Sequence, residues 1–176
     1  MLEETSPLER ARAQAYLLLK FRPRSESELR KRLTSKRIDP AVLDSLLEEL
    51  KKKDLVNDAK FAQYFANQRM VEKPMSRRAL VMDLKAKGVS SDLAAQAAGA
   101  AAGEQGEFET ARELALRRVS QMKGVDKQAL QRRLAGFLGR RGFSSEVVFK
   151  VVREVTAESS HPRESEDQGG FPLSRE

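Results

Sequence analysis

The segment SESELRKRLTSKRIDPAVLDSLL, residues 25–47, decides the fold class of this chain. Its apolar residues follow one another at steps of four, five and four, at Leu29, Leu33, Ile38 and Val42. A step of four keeps two side chains on one face of an α-helix, and Asp39-Pro40, directly after the step of five, is a typical helix start. The segment therefore predicts two amphipathic helices joined by a tight turn.

The same spacing recurs twice further along the chain. The second copy is Leu80, Leu84, Val89 and Leu93, and the third copy is Leu134, Leu138, Phe143 and Val147. The first offset is 51 residues, from Leu29 to Leu80, and the second is 54 residues, from Leu80 to Leu134. A helix-capping residue follows the third apolar position of each copy, at Asp39, Ser90 and Ser144. Because spacing and cap agree in three places, the sequence predicts three tandem repeats.

The turn inside each repeat has its own signal. The residue before the third apolar position is Gly88 in the second copy and Gly142 in the third. Glycine readily adopts the left-handed conformation that ends many helices, so a left-handed turn is expected there. The first copy has Arg37 where glycine would be expected.

Helix signals also fill the rest of the chain. Ser6-Pro7-Leu8-Glu9 and Ser25-Glu26-Ser27-Glu28 are predicted capping boxes, and Asn57 or Asp58 caps a further helix. No segment shows the sustained two-residue alternation of a strand, and the β-branched stretch from Val147 to Val155 also fits a helix. We therefore predict an all-α fold of three tandem three-helix repeats in an elongated, curved array. Each repeat is a helix followed by a helix–turn–helix-like pair.

The predicted boundaries divide the chain into four parts. The three repeats are expected at residues 1–56, 57–106 and 107–157, and a disordered acidic tail at residues 158–176. The last helix of the second repeat is rich in Ala and Gly from Ala94 to Gly106. Glycine inside a helix costs about 1 kcal/mol relative to alanine. This helix is therefore either closely packed or a weak joint.

Charge points to an acidic partner. The chain carries a net charge of +7, and the tail from Glu158 to Glu176 has two basic and five acidic residues. The tail therefore contributes −3, and residues 1–157 carry +10. A folded part this basic usually binds a polyanion or an acidic protein surface, although charge can also serve solubility alone.

Several classes of function lack a signal in the sequence. The chain has no Cys, and its one histidine, His161, lies in the predicted tail. No phosphate-binding loop, metal motif or nucleophile arrangement is present, so we expect no catalytic residue, no metal site and no cofactor. No apolar run has the length of a signal core or a membrane span, so we expect a cytoplasmic protein without membrane contact.

A set of short segments, in a fixed order between residues 8 and 156, carries a family resemblance. They are Ala15-Tyr16, Leu18-Leu19, Arg22-Pro23-Arg24-Ser25-Glu26, Glu28-Leu29, Leu33, Asp58, Phe61-Ala62, Phe65, Arg69, Leu80, Leu84, Lys87-Gly88-Val89, Phe137-Leu138 and Arg140-Arg141-Gly142-Phe143. In these segments the chain resembles the RecX family of recombination regulators. The resemblance implies a three-repeat helical modulator that binds the RecA filament and DNA and usually inhibits RecA. It also implies a role in homologous recombination, DNA repair and the SOS response.

Basic residues are the candidate binding residues. Lys36, Lys87 and Arg141 occupy one equivalent position in the three repeats. They either track a polyanion or complement a helix dipole in its last turn. The residues that we expect to contact RecA or DNA are Arg22, Arg24, Arg30, Lys31, Arg32, Lys36, Arg77, Arg78, Lys85, Lys87, Arg132, Arg133, Arg140 and Arg141. The third repeat also contains Arg117 and Arg118.

A helix–turn–helix pair suggests a second function, that of an autonomous DNA-binding transcriptional regulator. The second helix of each pair opens with Asp-Pro-Ala-Val, Ser-Ser-Asp-Leu or Ser-Ser-Glu-Val, which lack the Arg, Asn or Gln commonly used to read bases. We therefore favour a monomer that binds single- and double-stranded DNA with weak sequence preference. A pure protein scaffold is disfavoured by the basic body.

The aromatic residues could stack on bases, but their helical spacing favours core packing; they are Tyr16, Phe61, Tyr64, Phe65 and Phe108.

Overall fold

Nine α-helices and no strand are found in the part of the chain that a computed structural model describes, which is residues 6–103, 106–122 and 124–158. The helices are α1 (Pro7–Phe21), α2 (Glu26–Thr34), α3 (Pro40–Lys52), α4 (Asp58–Glu72), α5 (Arg77–Ala86), α6 (Ser91–Ala102), α7 (Glu107–Val119), α8 (Lys127–Gly139) and α9 (Ser145–Glu158). The predicted all-α fold of three tandem three-helix repeats is confirmed. The segment from Val147 to Val155 is helical, within α9.

Local capping starts the helices where the sequence predicts. Ser6 and Glu9 form the reciprocal hydrogen bonds of a capping box at the start of α1. The Asp39 side chain accepts hydrogen bonds from the backbone at the start of α3, and Asn57 does the same for α4. These caps satisfy backbone amides that have no partner inside the helix.

The second predicted capping box is only half formed, and that part of the prediction is wrong. The Ser25 hydroxyl accepts from the Glu28 amide at 3.0 Å. The Glu28 carboxylate does not return to Ser25 and instead accepts hydrogen bonds from Arg22 and Lys87. Two cations bind a carboxylate more strongly than one backbone amide does, so Glu28 is drawn away from the cap.

Each repeat buries its own hydrophobic core. The residues of the repeated spacing lie in these cores: the paired leucines of α2, α5 and α8 are buried, as are Val89 and Phe143, while Ile38 is partly buried. The helices that pack extensively on one another always belong to the same repeat. The buried residues accordingly form three separate clusters, one for each repeat. Each repeat is therefore a small three-helix unit with its own core.

The Ala/Gly-rich helix α6 is closely packed. Ala94, Ala97 and Ala98 are buried, and α6 packs on both α4 and α5. Gly99 faces the Arg77 guanidinium, whose Nη2 lies 3.1 Å from the position that a Cβ would take. Small side chains let α6 approach its neighbours, which decides between the two alternatives in favour of close packing.

All three turns adopt the left-handed conformation. The φ angles are +84° at Gly88, +82° at Gly142 and +60° at Arg37. The expected left-handed turns are confirmed, and the first repeat forms the same turn with a non-glycine residue. A left-handed conformation costs a residue with a Cβ about 1–2 kcal/mol.

Replacing Arg37 by glycine should stabilise the protein. The Arg37→Gly variant removes the left-handed strain but gains about 0.5–1 kcal/mol of chain entropy in the unfolded state. We expect a net increase of about 0.5–1 kcal/mol in the free energy of unfolding, measured by urea denaturation. The matched change Gly88→Ala should destabilise, and an Arg37→Gly variant that unfolds at lower urea than the parent would contradict this account.

The separate cores support the predicted elongated shape. The three units follow one another along the chain, and helices of this length measure about 20 Å. Solution scattering should therefore show a body on the order of 60 Å long, and a profile typical of a sphere would contradict this prediction.

The tail prediction falls outside the described residues, apart from Glu158 at the end of α9. None of the described helices has the length and apolar content needed to cross a membrane.

Candidate nucleic-acid interface

Adjacent repeats meet at two joints that are built from the same parts. At the first joint, the Ser25 hydroxyl donates to the Lys87 carbonyl at 2.6 Å, and the Glu26 amide donates to the Asp58 carboxylate at 2.8 Å. Each joint thus couples the start of a repeat's second helix to the turn and first helix of the next repeat.

The second joint repeats this arrangement. The Ser76 hydroxyl donates to the Gly142 carbonyl at 2.8 Å, and the Arg77 amide donates to the Glu107 carboxylate at 3.1 Å. The Ser76 amide also donates to the Arg141 carbonyl at 3.0 Å. At both joints a capping serine hydroxyl donates to a carbonyl of the next repeat's turn, and the following backbone amide donates to a carboxylate at the start of the next repeat's first helix, so the two joints share one design.

Glycine is required at both joints for a second reason besides its φ angle. A Cβ on Gly88 would collide with the Cβ of Ser27, and a Cβ on Gly142 would lie 2.6 Å from the Cβ of Ala79. The equivalent turn of the first repeat is exposed at Arg37. A side chain has room there, which explains why Arg37 is tolerated where the later repeats have glycine.

Two of the three recurring cations lie at the first and second joints. Lys87 and Arg22 both contact Glu28, at 3.1 and 3.0 Å. Burial tends to raise the pKa of Glu28, but the hydrogen bonds from Arg22 and Lys87 outweigh it and lower the pKa below its ordinary value. At the second joint, the Arg141 guanidinium donates to the Pro74 carbonyl at 2.5 Å. Burial, with the nearby charge of Arg69, lowers the pKa of Arg141.

Lys87 and Arg141 thus hold neighbouring repeats together, while the equivalent Lys36 is exposed. Neither alternative considered from the sequence, a polyanion track or a helix-dipole partner, includes this role. Whether these three cations contact DNA stays a prediction. Charge reversal at Lys87 or Arg141 would also disrupt a joint. A test of DNA contact therefore needs cations that do not hold the repeats together.

Three further candidate cations are engaged inside one repeat. Arg24 donates to the Leu18 carbonyl at 3.0 Å, and burial lowers its pKa. Arg30 binds Glu26 and Asp44 across α2 and α3. Arg77 lies over Gly99 at the surface of α6. These arginines help to fix the surfaces of their own repeats.

The side chains of the remaining candidates are exposed and make no hydrogen bond or ion pair with the residues that the structure describes. They are Lys31, Arg32, Lys36, Arg78, Lys85, Arg132, Arg133 and Arg140. Exposed cations outside an ion pair can meet a phosphate at the lowest cost, because no existing ion pair has to be broken.

The densest group of these cations lies on the third repeat, where the end of α7 meets α8. Three of them, Arg132, Arg133 and Arg140, line a groove of about 560 Å³ around Phe137, and Arg118 lines it as a fourth arginine. We call it the arginine groove. The described residues that line it include no acidic side chain. The groove therefore has the charge and the open shape that suit a nucleic-acid backbone.

Helical spacing on α8 produces most of this groove. Arg132, Gly136 and Arg140 follow at steps of four, which places them on one face. The missing side chain of Gly136 makes room for Arg140, whose Nη1 lies 3.3 Å from where a Cβ would be. Arg118 reaches the groove from α7, with its guanidinium 5.6 Å from the centre of the Phe137 ring. Only the tertiary structure brings Arg118 to this site, and it was not among the predicted contact residues.

The aromatic residues divide between core and surface. Core packing is confirmed for Phe61, Phe65 and Phe108, which belong to or pack against the repeat cores. It is wrong for Tyr16 and Tyr64, which are 39% and 40% exposed, because the outer sides of α1 and α4 face solvent at these positions.

Each of the three repeats matches a known protein domain. Models of the first, second and third three-helix domains of RecX match residues 11–50, 57–97 and 105–152. The chain is 40% identical over 141 residues to the regulatory protein RecX of Amycolatopsis mediterranei, covering 80% of each chain. It is 34% identical to the Streptomyces coelicolor protein of that name, covering 94% of this chain and 87% of the relative.

Solved structures show the same fold. The crystal structure of RecX from Lactobacillus salivarius superposes with a TM-score of 0.69 over 86% of this chain and 97% of that one. A second crystal structure of a regulatory protein RecX gives a TM-score of 0.71 over 84% of this chain and 73% of that one. Both are 18% identical in sequence, so they bear on the fold alone.

Proposed function

Because this chain belongs to the RecX family of regulatory proteins, we propose that it binds the RecA filament and DNA and thereby inhibits RecA ATPase and strand exchange. In this proposal it acts in the cytoplasm, as a monomer, by binding and not by catalysis. The alternative of an autonomous transcriptional regulator has no further observation in its favour.

The arginine groove is the observation that carries the DNA-binding part. Arg132, Arg133 and Arg140 are exposed and make no ion pair with described residues. A protein that places such cations against phosphates releases counterions from the nucleic acid, which favours binding at low salt. The contact involves backbone phosphates, so it carries little sequence preference.

The jointed array supports the filament-binding part. Each repeat has its own core, and neighbouring repeats share few contacts beyond the two joints. A filament presents the same surface on successive subunits. Several weak contacts made by linked repeats combine into a useful affinity, because each contact raises the effective concentration for the next. Binding that favours one filament geometry would shift the population of active filament.

The direct test measures hydrolysis of ATP by the cognate recombinase on single-stranded DNA, with and without this protein. We expect the rate to fall as the protein is added at substoichiometric to equimolar ratios. The measurement should be repeated after the filament is fully assembled, since an effect on assembly alone would vanish there. An unchanged rate in both orders of addition would contradict the proposed function.

A further inference from the structure

A second groove on the third repeat lies between α8 and α9 and is mainly apolar. Its volume is about 500 Å³. We call it the apolar groove; its lining includes Ala135, Phe143, Val148, Phe149 and Val152, with Arg132 and Arg153 beside them. The Phe149 side chain is 67% exposed. An exposed aromatic ring in a groove that two arginines also line has the composition of a binding face.

The repeats themselves show that the three-helix fold does not need this groove. The position of Phe149 is held by Ala95 in the second repeat and Asp44 in the first, by the offsets of 54 and 51 residues. The position of Arg153 is held by Gly99 and Glu48. The same face thus carries small side chains in the second repeat and acidic side chains in the first. The apolar groove is an addition to the third repeat alone.

The chain contains a segment whose chemistry complements this groove. Residues 159–176 follow α9 directly and lie outside the described residues. They contain the acidic run Glu164-Ser165-Glu166-Asp167 and then the apolar run Phe171-Pro172-Leu173. Acidic side chains match Arg132 and Arg153, and the apolar run matches the lining of the groove.

The length of the segment allows this match. The 14 residues of α9 measure about 21 Å along the helix axis. The residues between Glu158 and Phe171 can span about 40 Å when extended, at roughly 3.3 Å per residue. A segment that runs back along α9 meets Arg153 before it meets Phe149 and Ser145. This order agrees with acidic residues that come first and apolar residues that follow.

We propose that residues 159–176 dock in the apolar groove, with Phe171 and Leu173 against Phe149 and the acidic run beside Arg132 and Arg153. Arg132 also lines the arginine groove. The docked segment therefore competes with nucleic acid for the third repeat and lowers its apparent affinity. The competition rests on the proposed DNA binding, whereas the docking does not. A tethered segment has an effective concentration near the millimolar range, so even a weak contact keeps most molecules docked and reduces affinity on the order of tenfold.

The docking is tested without DNA by a crosslink in the full chain. The sequence has no Cys, so Ser145→Cys with Ser174→Cys introduces a single defined pair. We expect this pair to form a disulfide within one molecule under mild oxidation, seen by non-reducing electrophoresis. The matched control is Ser91→Cys with Ser174→Cys, since Ser91 holds the position of Ser145 in the second repeat. Equal crosslinking of both pairs, or none in either, would overturn the docking.

The competition is tested by anisotropy of labelled single-stranded DNA at fixed salt. A chain that ends at Glu158 should bind about tenfold more tightly than the full chain. The double variant Phe171→Ala, Leu173→Ala should bind as tightly as the shortened chain although it keeps the charge of the segment. Phe149→Ala should tighten binding in the full chain and change nothing in the shortened one.

These variants separate docking from charge alone. If shortening tightens binding but Phe171→Ala, Leu173→Ala does not, the negative charge acts without docking and the proposal is wrong. If the full and shortened chains bind equally, the competition is wrong. A chain that binds no DNA in any form would contradict the proposed function, and the crosslink would still decide the docking.

Discussion

Reversing three charges in the arginine groove, as Arg132→Glu, Arg133→Glu and Arg140→Glu together, is expected to lower DNA affinity on the order of a hundredfold at low salt. Each change removes one phosphate contact and adds a repulsive charge. The slope of log affinity against log salt should fall in magnitude by about 3, one for each lost contact. Anisotropy titrations at several salt concentrations measure both quantities.

The fold should tolerate this triple change, because the three side chains are exposed and make no ion pair with described residues. The matched control is Arg10→Glu, Lys20→Glu and Lys52→Glu, which changes the net charge equally on exposed positions of the first repeat. We expect the control to weaken binding less than tenfold, through general charge alone. Equal losses in both triple variants would show that net charge, and not the groove, determines affinity.

The fold was predictable because each repeat is determined locally. Leu29 and Leu33 lie on one helix face by spacing alone, and the cap at Asp39 fixes where the next helix begins. Since each core contains residues of one repeat only, no long-range pairing had to be predicted. The recurrence of the pattern then gave the number of repeats.

The joints were not predictable by the same local reasoning. Glu28 fits a capping box in its own helix, but its partner Lys87 lies 59 residues further along the chain. The competition between a nearby amide and a distant cation is decided by tertiary structure. By local reasoning Arg141 is a cation that complements the dipole at the end of its own helix. In the structure it instead binds the carbonyl of Pro74 from the preceding repeat.

One signal for the joints was nevertheless present in the sequence. Pro23 and Ser25 recur as Pro74 and Ser76 at the repeat offset, whereas the equivalent of Ser76 in the third repeat is Leu130. Ser25 and Ser76 are buried, at 0% and 1% exposure, because each supports the next repeat. A capping serine that recurs in every repeat except the last is the pattern to expect from a stacking contact.

Deleting the third repeat is expected to abolish regulation, whereas deleting the tail is not. A chain of residues 1–106 keeps two complete cores but loses the arginine groove and the second joint. We expect it to stay helical by circular dichroism and to leave recombinase ATPase unchanged. A chain of residues 1–158 should regulate at least as well as the full chain. Regulation by residues 1–106 at the level of the full chain would refute a model in which repeats span successive subunits.

A single substitution tests the same model without shortening the chain. Gly142→Ala forces a Cβ into a left-handed turn, at about 1–2 kcal/mol, and against Ala79 of the neighbouring repeat. Gly139→Ala is the matched control, because a Cβ there meets open space. If the repeats must be held in register to contact successive subunits, Gly142→Ala should lose most regulation of the ATPase. DNA affinity should fall only a few-fold, because all the residues that line the arginine groove belong to the third repeat. Full regulation by Gly142→Ala would show that the repeats act independently and need no fixed arrangement relative to one another.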